Sequence, residues 1–319
     1  MTTITNSAEI NDLKPQVAAV NLAIGICTFR RPGLLLTLQS IAAQDVFSRM
    51  GGCVIVAEND DTPSASQIID QARGFLPVDI HYVRAPARNI SIARNALMDT
   101  AQGLGITHLA MIDDDEIAEP DWLHALLTRM EDPAIDVVLG QVIAMYRPQA
   151  PDWMRAAGLH NNAPKINQDG SITTGSTGNA MLRLTSPHIA SRRFNLQLGQ
   201  TGGEDDAFFH AMVSDGGTIA YAANAIVKET VPQDRETMAF LLRRNYRSGQ
   251  TYAVLHSQQG AARLRYFATS VAKIATMGLS AGLFAMRPAR RTKSLMRASF
   301  HIGVCAHLLG RGTLKLYGS

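Results

Sequence analysis

The chain has 319 residues, of which 46% are hydrophobic and 18% charged, a globular composition sufficient for one large α/β domain with an appendage or for two small domains. Its three cysteines, Cys27, Cys53 and Cys305, are scattered along the chain and lack metal-type spacing. They indicate small core residues in a reducing compartment rather than a disulfide framework. The net charge of +3 conceals an asymmetry, because residues 1–236 carry 17 Lys and Arg against 27 Asp and Glu, whereas residues 237–319 carry 13 Lys and Arg and no acid.

Residues 1–19 include the acidic side chains Glu9 and Asp12 and contain no apolar stretch of the kind found in signal peptides. We therefore expect a short disordered lead and a protein that stays in the cytoplasm. The main domain is expected to cover residues 20–250, and a basic helical extension is expected over residues 251–319.

Apolar runs and helically spaced apolar residues alternate along the first half of the chain. Short runs rich in β-branched residues predict buried strands, and apolar residues three or four positions apart predict helices. Strands are predicted at residues 20–27, 53–57, 79–83, 107–112 and 136–145, with helices at 34–43, 64–73, 91–102 and 122–130. This alternation indicates a mostly parallel sheet with helices on both faces. Residues 146–203 are weakly periodic and rich in Pro, Gly, Asn and Thr, so they predict irregular structure around a site.

Three polar segments, residues 28–31, 58–61 and 113–116, directly follow predicted strands. Ligands of open α/β sheets bind at the carboxyl ends of the strands, so these segments are expected to gather along one edge. In the third segment, Asp113 and Asp115 are separated by one residue and can point the same way. Such a pair suits a hard divalent cation that also takes diphosphate oxygens. The alternative is a solvated acidic turn, although so many neighbouring carboxylates repel one another without a cation.

Three further segments have two interpretations each. Residues 58–61 offer groups for a base or ribose, or they form a loop that caps a helix. Asp205, behind a glycine turn, suits a general base, or it belongs to an acidic helix N-terminus favoured by the helix dipole. Arg243, Arg244 and Arg247 suit diphosphate oxygens, or they form a solvated helix face. The sequence has no GxSxG, P-loop, GxGxxG or HExxH motif, which argues against hydrolase, kinase and dehydrogenase functions.

The motifs, taken in order, resemble the family 2 glycosyltransferases and are most similar to bacterial exopolysaccharide enzymes of the succinoglycan type. They are ICTFRRP, VIVAENDD, ARNISIARNAL, MIDDDEIAEPDWL, STGNAML, GGEDDAFF and RRNYRSG, and the resemblance covers about residues 20–250. It implies an α/β fold of the GT-A type, with a nucleotide-binding half followed by a mixed-sheet acceptor half. The chain lacks the QxxRW motif and the several membrane spans of processive synthases, so a single-addition enzyme is expected.

The resemblance also implies roles for individual residues. Asp205 would be the catalytic base, Asp113 and Asp115 would hold Mg²⁺ or Mn²⁺, and Glu204 and Asp206 would lie on the acceptor side. The donor-binding residues would be Thr28, Phe29, Arg30, Asn59, Asp60, Arg88, Arg94, Asn95, Asp113, Asp114, Gly178, Asn179, Arg243 and Arg244. The family often has Asp at the position of Asn59, so the contact with the base is expected to differ.

The activity implied by the resemblance is inverting transfer of a hexose from a nucleotide-diphosphate sugar, UDP-glucose or UDP-galactose, to the hydroxyl of an acceptor such as a lipid-linked saccharide. One rival is a sugar nucleotidyltransferase, which typically carries a glycine-rich loop near the N-terminus, whereas residues 25–33 contain only Gly25 and Gly33. The other is a non-catalytic membrane-bound scaffold, against which the intact set Asp113, Asp115 and Asp205 argues.

The basic tail combines apolar and cationic segments. Residues 267–286 are mostly apolar, but the uninterrupted part, 274–286, is too short to span a bilayer comfortably, and five Lys or Arg residues follow within 287–297. This pattern is typical of interfacial helices on an anionic leaflet, so residues 263–315 are expected to dock peripherally on the inner face of the cell membrane. An ordinary helical subdomain with a basic surface is the alternative. The tail has no recognisable nucleic-acid-binding motif, and no nucleic acid partner is expected.

Overall fold

A computed structural model describes residues 21–50, 52–256, 260–312 and 314, and the expected disordered lead lies outside these residues. The described part is organised around an eight-stranded sheet in the order β3-β2-β1-β4-β7-β6-β8-β5. The strands are β1 (Leu22–Thr28), β2 (Cys53–Glu58), β3 (Asp79–Arg84), β4 (His108–Ile112), β5 (Glu116–Ala118), β6 (Val137–Met145), β7 (Asn179–Arg183) and β8 (Ile219–Thr230).

The first four strands form a parallel unit around β1, which pairs with β2 on one side and β4 on the other, while β3 pairs with the outer side of β2. Strands β1, β2 and β4 are buried along their whole length, as continuous apolar runs require when both faces of a sheet are covered. The register aligns Thr28 with Glu58, so β1 and β2 end at the same edge. The five strands and four helices predicted between residues 20 and 145 are confirmed to within about two residues at each end.

The remainder of the sheet is mixed. Strand β7 runs antiparallel between β4 and β6, β8 pairs parallel with β6, and β5 pairs antiparallel with β8. Residues 146–203, predicted to be irregular around a site, also contain strand β7 and the short helix Asp152–Ala157. The β7 sequence NAMLR is a short run with four buried residues, and neither alternation nor β-branched residues distinguish it from a loop.

Helices cover both faces of the sheet, and each face has its own apolar core. Trp122 is a large, fully buried residue of the first core, and Phe194, Phe208 and Phe209 pack in the second. The helices are α1 (Leu34–Ala42), α2 (Asp45–Met50), α3 (Ser66–Ala72), α4 (Ile90–Gly103), α5 (Trp122–Met130), α6 (Asp152–Ala157), α7 (Glu204–Ser214), α8 (Met238–His256), α9 (Ala261–Leu283) and α10 (Pro288–Leu308).

Helices α8, α9 and α10 pack together after the sheet is complete, and the expected domain boundary at residue 250 lies inside α8. The backbones of α8 and α10 approach closely at two glycines. A Cβ atom on Gly249 would overlap the carbonyl oxygen of Phe300, and one on Gly303 would overlap the carbonyl oxygen of Tyr246. Among the described residues, no helix is both long enough and apolar enough to cross a bilayer.

The close approach of α8 and α10 makes a prediction about stability. Gly303→Ala is expected to lower the free energy of unfolding by about 1–3 kcal/mol, because the added methyl group forces the helices apart. Gly278→Ala is the matched control, since Gly278 lies in α9 with no atom within 4 Å of its Cβ position. The control should raise stability by up to about 1 kcal/mol through helix propensity. Urea unfolding of both variants measures the difference, and equal effects would contradict the packing described here.

Candidate active site

A cleft opens at the edge where β1, β2 and β4 end, and it contains residues from the three polar segments 28–31, 58–61 and 113–116. Residues of β6, β8, α7 and α8 also line it. The cleft volume is about 1170 Å³. Pockets for a single drug-sized molecule range over about 300–1000 Å³, so this cleft has room for a large ligand and part of a second one.

The end of β4 is tied to the end of β1 through Asp114. The carboxylate of Asp114 accepts a hydrogen bond from the Thr28 hydroxyl at 2.7 Å and another from the Phe29 backbone N–H at 3.3 Å. Burial raises the pKa of Asp114 to about 6, although the Thr28 hydrogen bond opposes this. Asp114 therefore holds two strand ends together at the floor of the cleft.

Asp113 and Asp115 lie on either side of Asp114 in the sequence. Burial raises the pKa of Asp113 to about 7, and Asp115 and Asp114 add to the effect. Burial also raises the pKa of Glu116, and the charge of Asp113 adds to this rise. The Glu116 carboxylate accepts a hydrogen bond from the Asp113 backbone N–H. The Asp115 carboxylate lies 3.4 Å from the guanidinium of Arg31. Arg31 beside Asp115 and the charge of Arg94 on Asp113 both favour the ionised carboxylates of this turn.

The chemistry of this turn fits a hard divalent cation, because Asp113 and Asp115 offer carboxylate oxygens in a region of excess negative charge. No three Asp, Glu, His or Cys side chains within the described residues form a ready coordination set. A cation held here would therefore take its other ligands from water or from a bound molecule.

Arg94 of α4 connects to the start of α7 through two carboxylates. Its Nη1 atom lies 2.5 Å from Glu204 Oε1 and 2.6 Å from Asp205 Oδ1, and all three side chains are largely buried. Burial alone would lower the pKa of Arg94, but the charges of Asp205 and Glu204 outweigh it and raise that pKa. Asp205 also accepts hydrogen bonds from the backbone N–H and the hydroxyl of Thr177.

These contacts fix the orientation of the Asp205 carboxylate while it still lines the cleft. Burial raises the pKa of Asp205 to about 6, and Arg94 opposes that rise. Asp205 is therefore mostly ionised at neutral pH and can accept a proton from a bound molecule. Burial likewise raises the pKa of Asp206 to about 6.

The segment after β2 combines cleft-lining and structural groups. Arg30 forms a two-point ion pair with the buried Asp60, and the Arg30 hydrogen bond holds the pKa of Asp60 well below its usual range. Arg88 pairs with Asp61 on the surface. Arg30 and Arg88 both have positive φ angles, 52° and 45°, which are uncommon for residues other than glycine and are concentrated at functional sites.

Glu58 and Asn59 differ in position, since Glu58 supports the entrance to α3 and Asn59 reaches the cleft. Glu58 is fully buried and accepts hydrogen bonds from the Ser64 hydroxyl and the Ala65 backbone N–H at the entrance to α3. Asn59 accepts from the Asn89 backbone N–H and lines the cleft. Glu58 is therefore structural, and Asn59 is available to a ligand.

Four basic side chains, called the basic wall below, line the same cleft as the acidic turn at residues 113–116. Arg244 and Arg247 of α8 line the cleft together with Lys165 and Arg235. Arg243 does not line it and is exposed, because adjacent helix residues point about 100° apart whereas residues three apart share a face. The structure therefore places Arg244 and Arg247 along the cleft, and Arg243 of the expected pair outside its lining.

The structure brings most of the proposed site residues to the cleft and leaves four of them out of its lining. Asn95 hydrogen-bonds both ways to the backbone of Phe194, away from the cleft. Asn179 touches the cleft, but its side chain is committed to Trp122, Gln141 and Ala225. Asp60, Gly178 and Arg243 do not line the cleft. Gly178 instead lies against Asp113, where an added Cβ would come within 2.9 Å of the carboxylate.

Two residues that shape the site, Thr177 and Glu229, had no role assigned from the sequence. Thr177 lies in the segment STGNA, but only its neighbours Gly178 and Asn179 were assigned roles. Glu229, near the end of β8, lines the cleft and contributes to the raised pKa of Asp113. A lone glutamate in a strand gives no sequence signal, so only the pairing of β8 with β5 reveals it.

Comparison with known sequences decides the family. The model of glycosyl transferase family 2 matches residues 23–186. The chain belongs to glycosyltransferase family 2. The succinoglycan biosynthesis protein ExoM of Rhizobium meliloti (strain 1021) is 42% identical over 302 residues, which cover 94% of this chain and 96% of that protein.

Solved structures show that this family 2 glycosyltransferase has a GT-A fold, as predicted. The mannosyltransferase PcManGT from Pyrobaculum calidifontis, in complex with GDP-Man and Mn²⁺, matches with a TM-score of 0.61 and 16% identity over 94% of this chain and 92% of that one. S. aureus TarS 1–349 in complex with UDP matches with a TM-score of 0.50 and 13% identity, covering 92% of each chain.

The buried position of Arg94 makes a prediction about stability. Arg94→Gln is expected to lower the free energy of unfolding by about 3–5 kcal/mol, because Glu204 and Asp205 remain buried without their cation. The folded-state pKa of Asp205, already raised to about 6, would rise further above the unfolded value of about 3.9. The folded variant then binds more protons than the unfolded chain, so the deficit should be larger at about pH 7.5 than at about pH 5.

Arg88→Gln serves as the control for this prediction, because Arg88 pairs with Asp61 at the surface and exposed ion pairs contribute about 1 kcal/mol or less. Denaturant unfolding at both pH values measures the two variants. A pH-independent deficit in Arg94→Gln would contradict the electrostatic role of Arg94.

Proposed function

We propose that this family 2 glycosyltransferase transfers a hexose, with inversion, from a UDP-sugar such as UDP-glucose or UDP-galactose to the hydroxyl of a lipid-linked saccharide. The observation that carries the proposal is the meeting of Asp205 and the acidic β4 turn in one cleft. The likeness to a succinoglycan biosynthesis protein supports a role in exopolysaccharide assembly, and the solved complexes of TarS with UDP and UDP-GlcNAc support a uridine nucleotide.

The nucleotide would bind where β1 and β2 end. Thr28, Phe29, Arg30 and Asn59 line this part of the cleft and supply a hydroxyl, an aromatic ring, a cation and an amide. The Phe29 side chain is 38% exposed, which leaves it accessible to a base. The diphosphate would lie between the β4 turn and the basic wall, where arginine forks suit its oxygens.

Asp113 and Asp115 would hold Mg²⁺ or Mn²⁺ beside this diphosphate. The cation, when bound, supplies Lewis-acid neutralisation of the charge that develops on the departing diphosphate. The mannosyltransferase with GDP-Man and Mn²⁺ supports this choice of ion. Asp114 keeps its structural position because its carboxylate is engaged by Thr28 and Phe29.

Asp205 would accept the proton of the attacking hydroxyl. Its position is fixed by Arg94 and Thr177, and the acceptor would approach over Glu204 and Asp206 at the start of α7. Attack from this side displaces the diphosphate from the opposite face of the sugar carbon, so a single displacement inverts the anomeric configuration. A fixed base and a positioned leaving group provide the proximity that accelerates such a step.

We further propose that the enzyme works on the cytoplasmic, inner face of the cell membrane as a peripheral protein. A lipid-linked acceptor would be presented there, and the basic tail would keep the cleft close to it. The absence of acidic residues from residues 237–319 supports attraction to an anionic leaflet.

The donor and metal assignments predict the outcome of a nucleotide-release assay. Among UDP-, GDP- and dTDP-sugars, UDP-sugars are expected to release nucleotide with Mn²⁺ and not with EDTA. Asp115→Ala should reduce the release by at least about a hundredfold by removing a metal ligand. Asp152→Ala, which removes a fully exposed carboxylate of α6, should leave the rate unchanged. Metal-independent release, or equal loss in both variants, would overturn the assignment.

The role of Asp205 predicts a separation of binding from turnover. Asp205→Asn is expected to lower kcat by about 10²–10⁴-fold, the usual contribution of a general base, while donor affinity stays within about threefold. In the unaltered enzyme, kcat/KM should fall about tenfold per pH unit below about pH 6, because protonated Asp205 cannot accept a proton. Asp215→Asn, at the exposed end of α7, is the control. Parallel loss of donor affinity and turnover in folded Asp205→Asn would contradict the base assignment.

A further inference from the structure

We infer that the turn between α9 and α10 inserts into the interface of an anionic lipid membrane. This turn, called the hairpin tip below, comprises the apolar residues Leu279, Leu283 and Met286 and the basic residues Arg287, Arg290, Arg291 and Lys293. This contact would specify how the enzyme binds the membrane peripherally, and its biological role rests on the proposed function. The physical case comes from the tip itself.

Large apolar side chains of the hairpin tip point into solvent. Leu279, Leu283 and Met286 are 77%, 81% and 93% exposed, which makes them more exposed than other large apolar side chains of the described residues. Leu264 and Val271 are also exposed and share their face of α9, because their spacings of seven and eight residues return to the same side of a helix. A contiguous apolar face of this kind marks an interaction site.

The hairpin is closed without using these side chains. At the tip, α9 and α10 meet through small residues, with Ala281, Thr292 and Ser294 buried between them and the hydroxyls of Ser280 and Ser294 in hydrogen-bond contact at 3.0 Å. The larger apolar contacts lie at the other end of the hairpin, where Val304 and Leu308 pack with Ala253 of α8. The exposed leucines and Met286 therefore contribute little to folding and are available to a partner.

The positive charge of the hairpin tip favours an anionic partner. Arg287, Arg290, Arg291 and Lys293 are all exposed, and no acidic residue occurs after Glu236 to neutralise them. A membrane interface places anionic headgroups directly above acyl chains, so it satisfies cations and apolar side chains within the same helical turn. Two tips brought together would instead set eight cations against one another. An anionic leaflet is thus the partner that fits both features.

The hairpin also connects the membrane to the cleft. Helix α10 packs along α8 at Gly249 and Gly303, and α8 carries Arg244 and Arg247 of the basic wall. A membrane contact at the tip would therefore hold the cleft in a fixed relation to the leaflet.

Flotation of the full chain with vesicles tests the inference. Binding is expected with vesicles of phosphatidylcholine and phosphatidylglycerol and not with phosphatidylcholine alone. Leu283→Ser combined with Met286→Ser should weaken binding at least about tenfold through lost apolar burial. Arg290→Gln, Arg291→Gln and Lys293→Gln together should weaken it on the order of a hundredfold, since each cation near such a leaflet contributes about a factor of five.

Matched controls use exposed residues of the acidic body. Leu36→Ser removes a 56% exposed leucine of α1, and Arg49→Gln, Arg73→Gln and Arg129→Gln together remove the same charge as the basic tip variant. Both controls should float like the unaltered chain. Equal weakening in a control and its tip variant, binding to neutral vesicles of equal strength, or no flotation at all would overturn the inference.

Two further measurements keep this test separate from the proposed activity. Metal-dependent release of UDP by the tip variants in solution should match that of the unaltered chain, because the tip lies outside the cleft. Release that persists without flotation would refute the membrane contact alone, whereas flotation without release would refute the transferase proposal alone. A concentration-dependent dimer in solution that the apolar tip variant abolishes, with no vesicle binding, would assign the surface to a second copy and overturn the inference.

Discussion

The ion pair of Arg94 with Glu204 and Asp205 is the interaction on which the site depends. It joins α4 of the parallel half to α7, which follows the antiparallel strand β7, across 110 residues of sequence. Buried carboxylates without a paired cation become protonated or destabilise the fold. The buried guanidinium of Arg94 therefore allows Glu204 and Asp205 to remain ionised at the cleft. The same contact orients Asp205 and limits the rise of its pKa.

The charged side chains in and around the cleft form two groups. Structural charges are paired within the protein, as Asp60 is with Arg30 and Glu58 is with its hydrogen-bond donors at α3. In the β4 turn, burial raises the pKa values of Asp113 and Glu116, and neighbouring carboxylates add to the rise. The acidic turn and the basic wall line the same cleft, where Arg235 of the basic wall also pairs with Glu229. A diphosphate with a divalent cation complements both surfaces at once.

The sequence predicted the parallel half well because its strands are continuous apolar runs and its helices are clearly periodic. Asp113 and Asp115, expected at a strand end, and Asp205, singled out through the family resemblance, all line the cleft. The sequence could not reveal strand β7, whose short run resembles a loop, or the rotation that turns Arg243 outward and Arg247 inward. The contact of Arg94 with α7 and the contribution of Glu229 arise only from tertiary pairing, which local pattern does not encode.

The central claim is that a nucleotide diphosphate and a divalent cation bind between the β4 turn and the basic wall, in front of Asp205. A crystal structure of the enzyme with UDP and Mn²⁺ tests it most directly. The account predicts Mn²⁺ on Asp115 and the diphosphate, the uracil beside Phe29 and Asn59, and the diphosphate oxygens facing Arg244 and Arg247. Nucleotide bound outside this cleft, or within it but without metal and away from Asp115, would contradict the account.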